Sequence, residues 1–195
     1  MNKLKIGFAL TGSFCTFRRA IAEMEALAAH GHEIIPIMSF NASGLDTRFG
    51  KAEDFKREIR EIAGREIIDT LQGAEPIGPQ KLVDLLIIEP CTGNTLAKLA
   101  AGIADTPVTL AAKSHLRNGR PVLIAISTND ALAGAAKNIG ALQTRKHVFF
   151  VPYAQDAPEE KPNSVVARFE MTKAAAEAAA AGVQLQPLLL SRDVK

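Results

Sequence analysis

Three short segments carry side chains suited to holding a polar ligand, and each comes after an apolar run. They are Thr11-Gly12-Ser13, Cys91-Thr92-Gly93-Asn94-Thr95 and Ser127-Thr128-Asn129. All three are rich in hydroxyls or amides, and none contains a charged side chain. Hydroxyls and backbone N–H groups can hold a phosphate, and amide edges can hold a flat heterocycle. Any one of these segments would pass for an ordinary turn or helix cap. Three at equivalent places in a repeating strand–turn–helix pattern point to one shared ligand site, which a doubly wound sheet keeps beyond the carboxyl ends of its strands.

Several other residues could do chemistry. Glu89 ends a buried-looking strand, where a carboxylate costs several kcal/mol unless it is paired or solvated. It could act as an acid or base on a substrate, but pairing with a base such as Lys113 or with a neighbouring subunit is the expected role. Arg48 lies in a long loop ending at Gly50 and is a candidate clamp for a substrate carboxylate, which a guanidinium grips through two parallel hydrogen bonds. Lys161 and Asn163 are similar candidates in a later loop, over 152–163, that could serve as a lid. Cys15 and Cys91 follow strands expected to be neighbours, so they are either a redox pair or small buried thiols. His30, His32, His115 and His147 share no metal-ligand spacing, and no metal site is expected.

The elements that must position these groups alternate between strand and helix. Strands are expected over 4–10, 33–38, 84–88, 121–126 and 147–151, with a short one at 66–69. Pro36 suits an edge strand better than a central one. Helices are expected over 15–29, 51–63, 96–103, 106–118 and 130–143, with Gly31 and Gly119 as left-handed caps. Ser164 is read as the cap of an alanine-rich helix over 164–181. Residues 39–50 are read as a polar loop. The pattern predicts a single-domain, three-layer α/β fold with a mostly parallel sheet.

The 195 residues are 47% hydrophobic, enough for one sizeable core. A formal charge of +2, with no basic stripe interleaved with aromatics, argues against nucleic acid as a partner. No apolar stretch approaches membrane-spanning length. A first strand within four residues of Met1 leaves no room for a signal peptide, so a cytoplasmic protein is expected. There is no Gly-x-Gly-x-x-Gly after the first strand and no acidic residue at the end of the second, which argues against a dinucleotide site. The absence of a Walker lysine argues equally against ATP.

Residues 7–16, 47–50, 73–79, 90–95, 102–105, 127–132, 155–158 and 161–164 together resemble one superfamily. It is the flavoproteins that include homo-oligomeric flavin-containing cysteine decarboxylases and flavin prenyltransferases. The most specific elements are Pro90-x-x-x-Asn94-Thr95 and Gly102-Ile103-Ala104-Asp105. The resemblance implies a Rossmann-like flavoprotein fold, a bound FMN and a homo-oligomer. It implies that Gly12, Ser13 and Ser39 cradle the FMN phosphate and that Thr92, Asn94 and Thr95 contact phosphate or ring. Asn129 falls where the decarboxylases keep an asparagine that binds the substrate carboxylate.

The departures are equally specific. Pro76 stands where those decarboxylases have a histidine, their late-flap cysteine is missing, and the prenyltransferases' arginine after the fifth strand is replaced by Ser127. With the proton-transferring histidine and the thiol gone, cysteine decarboxylation lacks its machinery. The resemblance is greatest to the B subunit of a two-subunit oxidoreductase. Such a protein works with a separate A subunit, which would carry NADP, to oxidise a dihydropyridine-type lysine-pathway intermediate to pyridine-2,6-dicarboxylate. The setting implied is the mother cell of a spore-forming bacterium. Two alternatives remain beside it: a stand-alone FMN-dependent decarboxylase or prenyltransferase, and a non-catalytic scaffold of the same fold.

Overall fold

The computed structural model describes residues 3–191. Its centre is the strand β3 (Leu85–Cys91), buried at every position. This is the physical consequence of a Leu/Ile run covered by helices on both faces. β1 (Lys5–Leu10) pairs with it in parallel on one side, and β4 (Val122–Thr128) on the other. Among the strands β2 (Glu33–Met38) pairs with β1 alone and forms the edge of the strand order, a position that suits Pro36.

β4 has two neighbours on its far side. Its first half pairs in parallel with β5 (Val148–Phe150), and its end pairs antiparallel with β7 (Val165–Ala167), which in turn pairs with β6 (Tyr153–Gln155). The seven strands thus run β2-β1-β3-β4-β7-β6, with β5 beside the start of β4.

The helices are α1 (Phe17–Ala29), α2 (Phe40–Gly44), α3 (Ala52–Ala63), α4 (Leu71–Ala74), α5 (Gly93–Ala101), α6 (Pro107–Arg117), α7 (Ala136–Gln143) and α8 (Thr172–Ala180). α1 packs with α3 and α8, while α5 packs with α6 and α7. Sheet and helices make the expected three layers around a core that includes Phe8, Phe17, Phe55, Phe150 and Phe169. No described helix is long and apolar enough to cross a membrane.

The C-terminal part departs from the sequence expectation. Residues 165–167 are a strand and the helix begins only at Thr172, after a short 3-10 turn over Phe169–Met171. The β-branched pair Val165-Val166 meets Thr128 and Ser127 of β4, and this pairing overrides the capping propensity of Ser164. The expected loop at 152–163 likewise contains β6. At the other end of the chain, the polar segment after β2 contains α2, and residues 66–69 contribute a single bridge, Ile68 to Ile37.

Candidate functional site

β1, β3 and β4 are parallel neighbours, so the turns after them emerge at one edge, and side-chain bonds tie them together. Thr11, buried after β1, donates its hydroxyl to the Pro90 carbonyl (2.7 Å) and accepts the Thr92 N–H (3.0 Å). Ser13 Oγ lies 2.8 Å from Ser127 Oγ, and Thr16 Oγ1 is 3.2 and 3.3 Å from the two. Helix starts complete the edge: Thr92 caps α5, Ser39 caps α2, and Thr106 caps α6 through a reciprocal pair with Thr109. The first-turn N–H groups of α5 and α6 carry the positive end of each helix dipole.

Two cavities open at this edge and meet at Gly12 and Thr92. The smaller, about 310 Å³, is lined by hydroxyls and amides of Ser39, Asn41, Thr92, Asn94, Thr95 and Thr106, with one cation, Lys98. Lys98 forms an ion pair with Asp105 at 2.8 Å, and this contact holds the Asp105 carboxyl below its usual range. The larger cavity, about 680 Å³, has Ser13, Ser127, Thr128 and Asn129 along its wall. Three cations, Arg19, Arg48 and Lys161, and two carboxylates, Asp130 and Asp156, also line it.

Within the larger cavity, Arg48 is exposed and its guanidinium lies 4.9 Å from the centre of the Phe49 ring. Lys161 approaches Asp156 at 3.9 Å. Thr128 donates to Asp130 at 2.5 Å, and Asn129 Oδ1 accepts from Ser164 at 3.4 Å. Arg19 pairs loosely with Glu170 at 3.5 Å and sits 5.0 Å from the centre of the Phe169 ring.

Most of the residues singled out in the sequence therefore converge, but five do not face the cavities. Thr11 is turned into the bonds between strands. Gly93 lies under the Thr128–Asp130 pair, where a Cβ would come within 2.8 Å of both side chains. Cys91 is wholly buried, and burial pushes its thiol far above the ordinary value, so it is inert at neutral pH. Cys15 lines the larger cavity while Cys91 does not, and both are free thiols, so the redox pair is not formed. Asn163 is exposed and offers its backbone carbonyl to Leu132, three residues past Asn129.

Glu89 is the fifth. It is fully buried, its Oε2 accepts the Thr172 hydroxyl at 2.7 Å, and its Oε1 has no partner. Desolvation raises its pKa well above the usual 4.5. Lys113 is not its partner; that ammonium instead reaches the Gly102 carbonyl. Glu89 is thus a neutral core carboxyl beneath α8. The alternation of side chains along β3, read together with a helix expected to start at 164, gave no view of Thr172.

Sequence reasoning missed Lys98, Thr106, Arg19 and Asp130. Lys98 was accessible, since it lies four residues after Asn94 on one helical face. Arg19 had no local signal, because only the packing of α1 brings it to the cavity.

The flavoprotein family model matches residues 1–184. The chain belongs to the flavoprotein family. The B subunit of dipicolinate synthase from Bacillus subtilis (strain 168) is 42% identical over 193 residues, covering 97% of this chain and 96% of that protein. The crystal structure of the corresponding B subunit from Bacillus halodurans superposes with a TM-score of 0.90 at 41% identity, covering 98% of this chain and 99% of that one. A dodecameric FMN-dependent UbiX-like decarboxylase from Escherichia coli O157:H7 has a TM-score of 0.62 at 26% identity, covering 76% and 79%. This flavoprotein therefore shares its fold with an FMN-dependent relative.

Proposed function

We propose that this flavoprotein is the B subunit of a dipicolinate synthase. It would act with a separate A subunit to oxidise a dihydrodipicolinate-type intermediate of the lysine pathway to dipicolinate during sporulation. The carrying observation is the division of charge between the two adjoining cavities. The smaller offers hydroxyls, amides, helix-start N–H groups and a single cation, a donor set that fits one phosphate. The larger offers three cations against two carboxylates, and Arg48, which pairs with neither, leaves an exposed guanidinium in the same cavity as Asn129 for a carboxylate on a flat ring.

FMN fits this arrangement. Ser39, Thr92, Asn94, Thr95 and Lys98 would hold its phosphate, with Gly12 and Ser13 at the junction and Ser127 and Thr128 against the ring. When bound, the flavin supplies a two-electron acceptor for aromatisation. Asn129 and Arg48 bind the substrate carboxylates, and Lys161 closes over them from the loop before β7. NADP is assigned to the A subunit, since the turn after β1 lacks the glycine pattern of a dinucleotide site. The exposed Phe40 and Phe49 beside the cavities support a homo-oligomer; on this reading it works in the cytoplasm of the mother cell.

The test begins with the visible absorption spectrum of the purified protein and a titration with FMN. Dipicolinate formation is then measured with the A subunit present, with and without FMN, for the wild type and Asn94→Ala. The expected result is flavin-dependent product formation and about tenfold weaker FMN binding in the variant, for one lost hydrogen bond at a charged group. Activity indifferent to both FMN and Asn94→Ala would refute the flavin role and leave a non-catalytic scaffold.

A further inference from the structure

At the other end of α5 lies a separate cavity of about 430 Å³ that shares no lining residue with the candidate site. α5 starts at the cleft and stops at this cavity, so its nine residues put about 14 Å between them. The apolar part of the wall comes from Leu99, Ile103 and Leu116. Its charged part is all of one sign: Lys113 and Arg117 from α6, and Arg145 and Lys146 from the turn before β5, with His147 beside them.

Cations near helix C-termini often serve only to answer the last carbonyls. That explains Arg145, which donates to Leu99 O at 3.0 Å, and Lys113, which reaches Gly102 O at 3.4 Å. It does not explain Arg117 and Lys146, which have no ion pair or side-chain hydrogen bond among the described residues. Four like charges around an apolar cavity repel one another and draw in an anion.

The turn is also held in an unfavourable backbone shape. His147 has φ +64°, a left-handed conformation that side chains disfavour, and its carbonyl is fixed by the Val122 N–H at 2.8 Å. Such conformations gather at ligand sites.

We infer that this cavity binds a small amphipathic anion, an aromatic or heterocyclic ring bearing a carboxylate or phosphate group. The ring would lie against Leu99, Ile103 and Leu116, and Arg117 and Lys146 would hold the anionic group. Two sources share that chemistry: a nucleotide monophosphate and an aromatic carboxylate.

Isothermal titration calorimetry with adenosine monophosphate and with pyridine-2,6-dicarboxylate separates them. The proteins are the wild type, the double variant Arg117→Gln/Lys146→Gln, Ile103→Glu, and Arg48→Gln as the cleft control. All the altered side chains are exposed, and circular dichroism checks the fold. The expectation is that one probe binds the wild type at about 1 mM or tighter. Its affinity should fall about tenfold in the double variant and at least as far in Ile103→Glu, which puts a carboxylate inside the cavity. Arg48→Gln, which alters only the cleft, should leave unchanged the binding component that the double variant weakens. The inference is overturned if neither probe binds, if binding survives both cavity changes, or if only Arg48→Gln removes it. Because no residue of the proposed cleft takes part, a colourless, flavin-free protein would leave this result intact.

Discussion

Replacing Thr11 by valine removes one oxygen at the junction of all three converging turns and keeps the side-chain shape. The hydroxyl donates to Pro90 O at 2.7 Å and accepts the Thr92 N–H at 3.0 Å, and the residue is only 1% exposed. The Pro90 carbonyl would keep the Thr11 N–H at 3.3 Å, so it would stay satisfied. The Thr92 N–H would be stranded, and because it is only part-buried the cost sits at the low end of the about 1–3 kcal/mol for an unsatisfied buried group. Thr92 also caps α5 by accepting the Thr95 N–H, so a shifted Thr92 puts at risk a cap worth about 1 kcal/mol.

The expected destabilisation of Thr11→Val is therefore about 2 kcal/mol, which for a domain of this size lowers Tm by about 4–8 °C. Urea unfolding followed by circular dichroism measures it. Thr92→Ala keeps the backbone N–H and removes the cap, so it should cost about 1 kcal/mol and measures that cap separately. A loss below about 0.5 kcal/mol in Thr11→Val would refute the view that this hydroxyl stitches β1 to the start of α5.

Two buried titratable groups give opposite pH slopes. Glu89 keeps its proton well above pH 4.5, where the unfolded chain releases it, so the native state holds more protons and stability falls as pH rises from 4.5. Glu89→Gln keeps an acceptor for Thr172 and should abolish that decline; urea midpoints for both proteins from pH 4.5 to 9 would show it, and parallel curves would count against a neutral Glu89. Burial, with the Arg120 charge, holds His115 neutral down to about pH 4, whereas the unfolded chain protonates near 6.5. Stability should fall by about 3 kcal/mol as pH drops through that window, and His115→Leu should remove that component, as read by the same titration.

How legible these features were in the sequence depended on whether their cause was local. The three turns could be located because apolar runs and helical patterns bracket them, and a parallel sheet then forces them to one edge. Gly119, in the left-handed region at φ 67°, was equally plain, because only the backbone requirement decides it. β6 and β7 were not legible, since three residues each are too few to show a period of two. Ser164 looked like a helix cap, yet its hydroxyl serves Asn129, a tertiary contact that no local pattern encodes. Helix α7 starts at Ala136 rather than 130, as Asp130 is engaged by Thr128 and its backbone carbonyl by Ala133 and Ala135. Arg19 becomes a functional candidate only once the face of α1 is fixed against the sheet.

The same hydroxyl network bears on how one edge could hold two anionic guests. On the proposed function, a phosphate in the smaller cavity and a dicarboxylate in the larger would repel each other across the junction at Gly12 and Thr92. Between them the chain places the neutral hydroxyls of Thr92, Ser13 and Ser127, the last two bonded to each other. Hydroxyls can rotate to donate toward whichever side carries charge, so they soften that repulsion without favouring one guest. A lysine at the junction would bind either anion and blur the assignment of cavities. The cations instead stand apart, Lys98 in the smaller cavity and Arg48 and Lys161 in the larger. On the proposed function, this distribution would let the ring edges approach at the neutral junction while each anionic group kept to its own cavity.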